Sequence, residues 1–199
     1  MPERAGFSSD RSPFVLASGS PRRRWLLEKV GVRFEVLAVP VDECARAGEL
    51  PGEFARRMAE EKAAAATQQR RDSWILAADT VVALGDLALG KPRDHEDAVA
   101  MLTRLSGREH VVYTGVVLLR PGAEPAAHTV VETRVTFRPL DASEIQAYIE
   151  TGEPFDRAGA YAIQGEGAHL VDRVEGSYTN VIGLPVAEVA GWLRTWRII

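Results

Sequence analysis

Cysteine is almost missing: Cys44 stands alone in 199 residues. A single thiol excludes an intrachain disulfide and any thiolate metal cluster, and it suits a reducing compartment. Long apolar runs are missing too. None approaches the ~20 residues needed to cross a bilayer, so no membrane association is expected. Nor is there an excess of positive charge, since 24 Lys and Arg face 28 Asp and Glu. The formal net charge of -4 excludes a global basic field for nucleic acid. Any positive charge used for binding is therefore local. His95, His110, His128 and His169 share no metal-ligand spacing, which argues against a histidine-bound zinc. No Walker GxxxxGK[ST] loop occurs, Gly165-Glu166-Gly167 lacks the third glycine of a dinucleotide fingerprint, and no GxSxG elbow marks a serine hydrolase. The first residues, 1–12, are polar and lack the apolar centre of a signal peptide. They read as a flexible tail, and the protein is expected in the cytoplasm.

What is present is an ordinary globular composition in a chain long enough for one well-buried core, or for two small lobes around a cleft. The stretch that organises it runs from Leu16 to Arg24, Leu-Ala-Ser-Gly-Ser-Pro-Arg-Arg-Arg. An apolar run, Phe14 to Ala17, turns through two serines and a glycine into a segment stopped by Gly31. The pattern is strand, tight loop, helix. Ser20 is a good N-cap and Pro21 a good first helical residue, and Trp25, Leu26, Leu27 and Val30 form its apolar face. Loop N–H groups and the positive helix end favour an anion there, and arginines at that end can grip phosphate in bidentate fashion. A solvated basic helix start would account for the arginines alone. Loop, cap, dipole and arginines acting at one point favour the anion site.

Further along, a strand is expected over 33–39 with Asp42 and Glu43 beyond its end, then a helix from Glu53 to about Gln69. Trp74 to Ala78 reads as a short buried strand ending at Asp79-Thr80. Val81 to Leu84 and Ala88-Leu89 flank Gly85-Asp86 as a small hairpin. A helix follows over Asp94 to Leu105. His110 to Leu119 and His128 to Phe137 read as two strands, and Asp141 with Glu144 as a capping box for a helix through Ile149. Residues Gly159 to Gly167 are irregular, Gly176 to Pro185 are a loop or short helical turn, and a last helix runs from Val186 to about Trp196. Alternating strands and helices around two long central strands make the class α/β with a mixed sheet.

Asp79 lies between apolar runs, where a carboxylate costs free energy unless a cation or strong donors meet it. A divalent metal or an activated water would do so. Asp42 and Glu43 are a second acidic pair, as readily an exposed loop. Lys62 sits among alanines and glutamates, a setting in which most lysines face solvent. Lys91, between Gly90 and Pro92, is better aimed. An anion-binding loop with arginines, lysines and carboxylates suits metal-assisted phosphoryl chemistry. The residues alone reach a nucleotide or phosphate ligand and stop there.

Taken in order, the motifs resemble those of the Maf family of nucleoside triphosphate pyrophosphatases, the septum-formation inhibitors. They are LASGSPRR (Leu16 to Arg23), Asp42-Glu43, EKA (Glu61 to Ala63), AADTVV (Ala77 to Val82) and GKPRD (Gly90 to Asp94). LSGREHVVYTGV (Leu105 to Val116), EPFDRAGAYAIQG (Glu153 to Gly165) and GSYTNVIGLP (Gly176 to Pro185) complete the set. The resemblance implies an elongated fold, similar to that of the inosine triphosphatases, with a central cleft between two lobes. It implies a single catalytic domain over 13–199, often in a homodimer. It further implies hydrolysis between the α and β phosphates with a divalent metal, Mg²⁺ or Mn²⁺. By position, Asp79 resembles the general base, and Arg23, Lys62 and Lys91 the phosphate-binding cations, with Ser18 and Ser20 against the phosphates. Glu43, with Asp79, resembles the metal partner. Arg22, Thr80 and Gln164 match positions that set base preference. Ala78-Asp79-Thr80 and Ile163-Gln164-Gly165 follow the dTTP and UTP branch, whereas the 7-methyl-GTP branch carries SDQ and CEG there. One Gln amide can donate to O4 and accept from N3–H of thymine or uracil. The alternatives are the same chemistry on 7-methyl-GTP or a modified pyrimidine nucleotide, and a non-catalytic nucleotide-binding regulator of division.

Overall fold

The computed structural model describes residues 12–199. Apart from Ser12, the tail expected over 1–12 lies outside the described residues. The chain begins with β1 (Phe14–Leu16), whose three side chains are buried. Helix α1 (Pro21–Val30) follows, capped as expected: Ser20 Oγ accepts from the Arg23 amide, Pro21 opens the first turn, and Gly31 closes the helix in the left-handed region at φ 85°. Leu26 and Leu27 carry its apolar face. Trp25 does not; it is 44% exposed and takes the Lys29 ammonium over its ring, 5.4 Å from the centroid.

Strand β2 (Glu35–Val36) is shorter than the expected 33–39, because it pairs only with the last two residues of the brief β1. Helix α2 (Pro51–Thr67) buries Ala55, Met58, Ala59, Lys62, Ala63 and Ala66, a face spaced by three and four. Strand β3 (Trp74–Leu84) is twice the expected length and runs straight through Asp79 and Thr80. The two polar residues do not end it, since each meets a partner across a sheet face, as described below. β4 (Leu87–Leu89) folds back on β3 as the expected hairpin. Helix α3 (His95–Leu105), capped by Asp94, leads to β5 (Glu109–Arg120) and β6 (Glu124–Phe137). Helix α4 (Ala142–Glu150) carries the Asp141–Glu144 capping box. Three 3₁₀ turns, Glu153–Asp156, Ala158–Ala160 and Glu166–Leu170, fill the glycine-rich segment. Strand β7 (Val171–Glu175), short helix α5 (Tyr178–Ile182) and α6 (Val186–Thr195) finish the chain. β7 was not expected, because only Val171 and Val174 of its five residues are apolar.

The strands form one seven-stranded sheet, ordered β2-β1-β3-β5-β6-β7 with β4 also on β3. β1 is parallel to β2 and β3, and the other pairings are antiparallel. The class is therefore mixed α/β, as the sequence indicates. Alternation along β3 sorts its side chains. Ile75 and Ala77 pack against α2, whereas Leu76 and Ala78 pack with Leu26, Leu27, Ile182 and Leu193 on the other face. Beyond them, Val82 joins a separate cluster with α3, α4 and Tyr161.

Candidate active site

The sheet has an open notch on one side of β3. β1 pairs with β3 only as far as Leu16 opposite Leu76, and β4 pairs only from Val82 onward. Between them, Ala78–Val81 have no strand partner on that edge among the described residues. A cavity of about 540 Å³ opens there, within the size range of ~300–1,000 Å³ usual for small-molecule sites. The β1–α1 loop forms one wall; Ala88 to Lys91 and the 3₁₀ segment form the other.

Ser18, Ser20, Arg22, Arg23, Glu43, Lys62, Asp79, Thr80, Lys91 and Gln164 all line this one cavity, whereas Asp42, the other half of the acidic pair, does not: it is exposed and accepts from the Cys44 amide. Five cationic side chains, Arg22, Arg23, Lys62, Lys91 and Arg157, face three carboxylates there. The cavity is thus locally positive in a chain whose net charge is negative.

Asp79 and Thr80 are neighbours in a strand, so their side chains leave opposite faces. Asp79 points to α2, where Lys62 Nζ donates to its Oδ1 at 2.6 Å. The same ammonium lies 2.6 Å from Glu43 Oε1. Lys62 lies on the buried face of its helix, only 9% exposed, rather than in solvent. Its hydrogen bond holds the Glu43 carboxyl below the usual carboxylate range.

Thr80 points to the α1 face. Its hydroxyl accepts from Arg23 Nη2 at 3.0 Å, while Arg23 Nη1 donates to Ser18 Oγ at 3.1 Å and Nε to the Gly183 carbonyl at 2.8 Å. Burial lowers the pKa of this guanidinium, and the nearby Asp79 charge opposes that shift. Ser18 Oγ also accepts from the Ser20 amide. In these bonds both serine hydroxyls serve as acceptors, so each keeps its own proton for a ligand. Lys91, more open, donates to Asp156 Oδ1 at 2.6 Å, and Arg22 Nη2 donates to the Asp156 carbonyl at 3.3 Å.

Residues 13–196 match the family of Maf-like proteins. The chain belongs to that family. It is 53% identical over 187 residues to the dTTP/UTP pyrophosphatase of Myxococcus xanthus (strain DK1622), covering 94% of each chain. It is 46% identical over 187 residues to the dTTP/UTP pyrophosphatase of Desulfotalea psychrophila (strain LSv54 / DSM 12343), covering 94% of this chain and 96% of that one. Among solved structures, a HAM1 protein from Coxiella burnetii is similar at 15% identity and a TM-score of 0.49, covering 93% of this chain and 100% of that one.

Two further features of this Maf-like chain hold site residues in place. Residues 37–46 have no regular structure, and Glu43 would be loosely held without an anchor. Arg57 on α2 supplies one, donating to Glu49 at 2.6 and 2.7 Å, to Glu61 at 3.0 Å and to the Cys44 carbonyl at 2.9 Å. The fork is bidentate, and it lowers the Glu49 carboxyl to about 2. On the opposite wall, Tyr148 donates to Glu153, whose carboxylate also accepts from the Gly167 amide at 2.9 Å, and the Tyr148 hydroxyl accepts from the Ala162 amide at 3.1 Å. These bonds hold both ends of the turn that carries Gln164. Its side-chain amide has no hydrogen-bond partner among the described residues.

Sequence reasoning missed Asp156, Arg57, Thr114 and Asn180. Asp156, Thr114 and Asn180 lie inside family motifs, with no role expected for them. Arg57 followed a second arginine, and nothing in the pattern told one from the other. The buried positions of Thr114 and Asn180 depend on pairing between distant strands.

Proposed function

We propose that this chain hydrolyses dTTP and UTP between the α and β phosphates, giving the monophosphate and pyrophosphate. The observation that carries the reading is the convergence of Arg23, Lys62, Lys91, the Ser18–Ser20 loop and Asp79 on one cavity, in a chain so similar to proteins named for that activity. The triphosphate lies across the cations, where charge neutralisation and positioning make up most of phosphoryl-transfer catalysis. Asp79 accepts a proton from water, the water oxygen bonds to the α phosphorus, and the bridging α–β bond breaks with its electrons leaving on pyrophosphate. Arg22, Thr80 and Gln164 meet the base, where the Gln164 amide can donate to O4 and accept from N3–H.

Glu43 and Asp79 are the residues that would hold Mg²⁺ or Mn²⁺. The donor set fits: an oxygen of each carboxylate lies 2.6 Å from one ammonium, so the two can meet a single cation. Mg²⁺ is usually held by one or two carboxylates, with phosphate oxygens and water completing its shell. When bound, such an ion polarises phosphoryl oxygens. The Lys62 ammonium keeps the two carboxylates together meanwhile. We place the protein in the cytoplasm, as a homodimer, acting on free nucleotides without nucleic acid; among the described residues no helix is long and apolar enough to cross a membrane.

The test is incubation with each nucleoside triphosphate, with and without EDTA. Pyrophosphate released from dTTP and UTP, and suppressed by EDTA, is the expected result. Release of orthophosphate, preference for 7-methyl-GTP, or binding without turnover would overturn the reading.

A further inference from the structure

We infer that Thr114, which does not line the cavity, is a positioning residue for Arg23 and acts by fixing the direction of the Thr80 hydroxyl. The inference rests on the proposed role of Arg23 in gripping phosphate. The argument is a count of protons. Thr114 is fully buried on β5, and its Oγ1 lies 3.2 Å from the Asn180 carbonyl. A carbonyl only accepts, so in that bond Thr114 is the donor, beside the Gly183 amide that donates to the same oxygen at 2.9 Å. Thr114 and Thr80 hydroxyl oxygens are 3.0 Å apart. With the Thr114 proton used, Thr80 must donate in that pair. Thr80, its own proton used in turn, meets the Arg23 guanidinium as an acceptor at 3.0 Å. The donors run in one direction: Arg23 to Thr80 to Thr114 to the Asn180 carbonyl.

The far end of this chain is firmly held. Asn180 is fully buried, and its Nδ2 lies 3.0 Å from the Val112 carbonyl, 3.1 Å from the Val131 carbonyl and 3.0 Å from Thr133 Oγ1. Two carbonyl neighbours leave no doubt which end of the amide is nitrogen. Asn180 therefore clips α5 to β5 and β6, and its backbone carbonyl is a fixed acceptor.

The consequence falls on Arg23. A guanidinium has five N–H groups. Three are spent, one each from Nε, Nη1 and Nη2, on Gly183, Ser18 and Thr80. One N–H remains on Nη1 and one on Nη2, a fork suited to two phosphate oxygens. If the Thr114 hydroxyl is removed, the Thr80 proton has the Gly183 carbonyl, at 3.4 Å, as its remaining acceptor. Arg23 Nε already donates to that carbonyl. Two of the three framework bonds of the guanidinium are then disturbed, and the fork is no longer fixed in direction.

The test crosses two substitutions. Thr114→Val keeps the shape and removes the hydroxyl; Thr114→Ser keeps the hydroxyl and removes a methyl. The expected result is a KM for dTTP raised about tenfold in Thr114→Val, with kcat changed less than about threefold, and near-normal constants in Thr114→Ser. The opposite ranking, Val normal and Ser impaired, would make Thr114 a packing residue and overturn the inference. Calorimetric titration with inorganic pyrophosphate gives the same ranking without turnover. Should the parent protein fail to hydrolyse dTTP yet bind pyrophosphate, the proposed function falls and the titration series still decides the role of Thr114. Should it fail to bind pyrophosphate, both fall.

Discussion

Lys62 Nζ lies 2.6 Å from Asp79 Oδ1, with both side chains nearly closed off from solvent. A helix and a strand meet there through opposite charges. Asp79→Asn keeps a hydrogen-bonding partner for Lys62 and removes the carboxylate proposed as base. The fold is expected to persist while turnover drops by about 10²–10⁴; melting curves and pyrophosphate release measure the two. Lys62→Met leaves two facing carboxylates without their cation. A loss of about 3 kcal/mol in denaturant unfolding is expected, partly recovered in the Lys62→Met, Asp79→Asn double variant.

Arg57 offers a test of the loop that carries Glu43. Arg57→Met removes the fork to Glu49 and the bond to the Cys44 carbonyl. Amide exchange over 43–49 is expected to quicken while the rest of α2 stays protected. The Mg²⁺ concentration for half-maximal activity should rise several-fold.

His110 predicts a pH dependence of stability. Its ring is buried, with Nε2 2.8 Å from the Tyr161 hydroxyl, and burial lowers its pKa from 6.5 to about 4. The unfolded chain takes up this proton first as pH falls. The contribution is complete above pH 6.5, shrinks between 6.5 and 4, and is gone below, a loss of about 3 kcal/mol. In His110→Gln that part of the acid decline in melting temperature should flatten.

Base preference is expected to follow two side chains in the cavity. Thr80→Gln with Gln164→Glu places the Gln and Glu of the 7-methyl-GTP branch and should move preference away from dTTP and UTP. Competition assays with mixed triphosphates measure the ratio, and an unchanged ratio would remove both residues as selectors.

Much of the fold was legible where one residue type has a local cause. Ser20, Pro21 and Gly31 bound α1 as their chemistry requires, and Asp141 with Glu144 cap α4. The length of β3 was not legible, because Asp79 is a poor strand residue that is tolerated where Lys62 meets it, and Lys62 lies on another element. Lys62 shows the same limit: its neighbours in the chain look like those of a surface lysine, and only the helix's packing turns it inward. Within the site, the phosphate-type residues were found mainly through family motifs. Arg57, Thr114 and Asn180 serve those residues rather than the ligand; Arg57 meets two carboxylates and a carbonyl, and Thr114 and Asn180 meet backbone carbonyls and hydroxyls, partners that the folded chain brings to them.

One glycine bears on all of this. A Cβ at Gly115, directly across from Asp79 in the sheet, would collide with the Ala55 carbonyl and the Arg56 backbone on α2. Together with the small alanines on the helix underside, that bare position lets α2 lie almost on the strand. The reach of a lysine side chain is fixed, so the thickness of this layer decides whether its ammonium arrives at the carboxylate. The spacing on which the chemistry depends is thus set by a side chain that is not there.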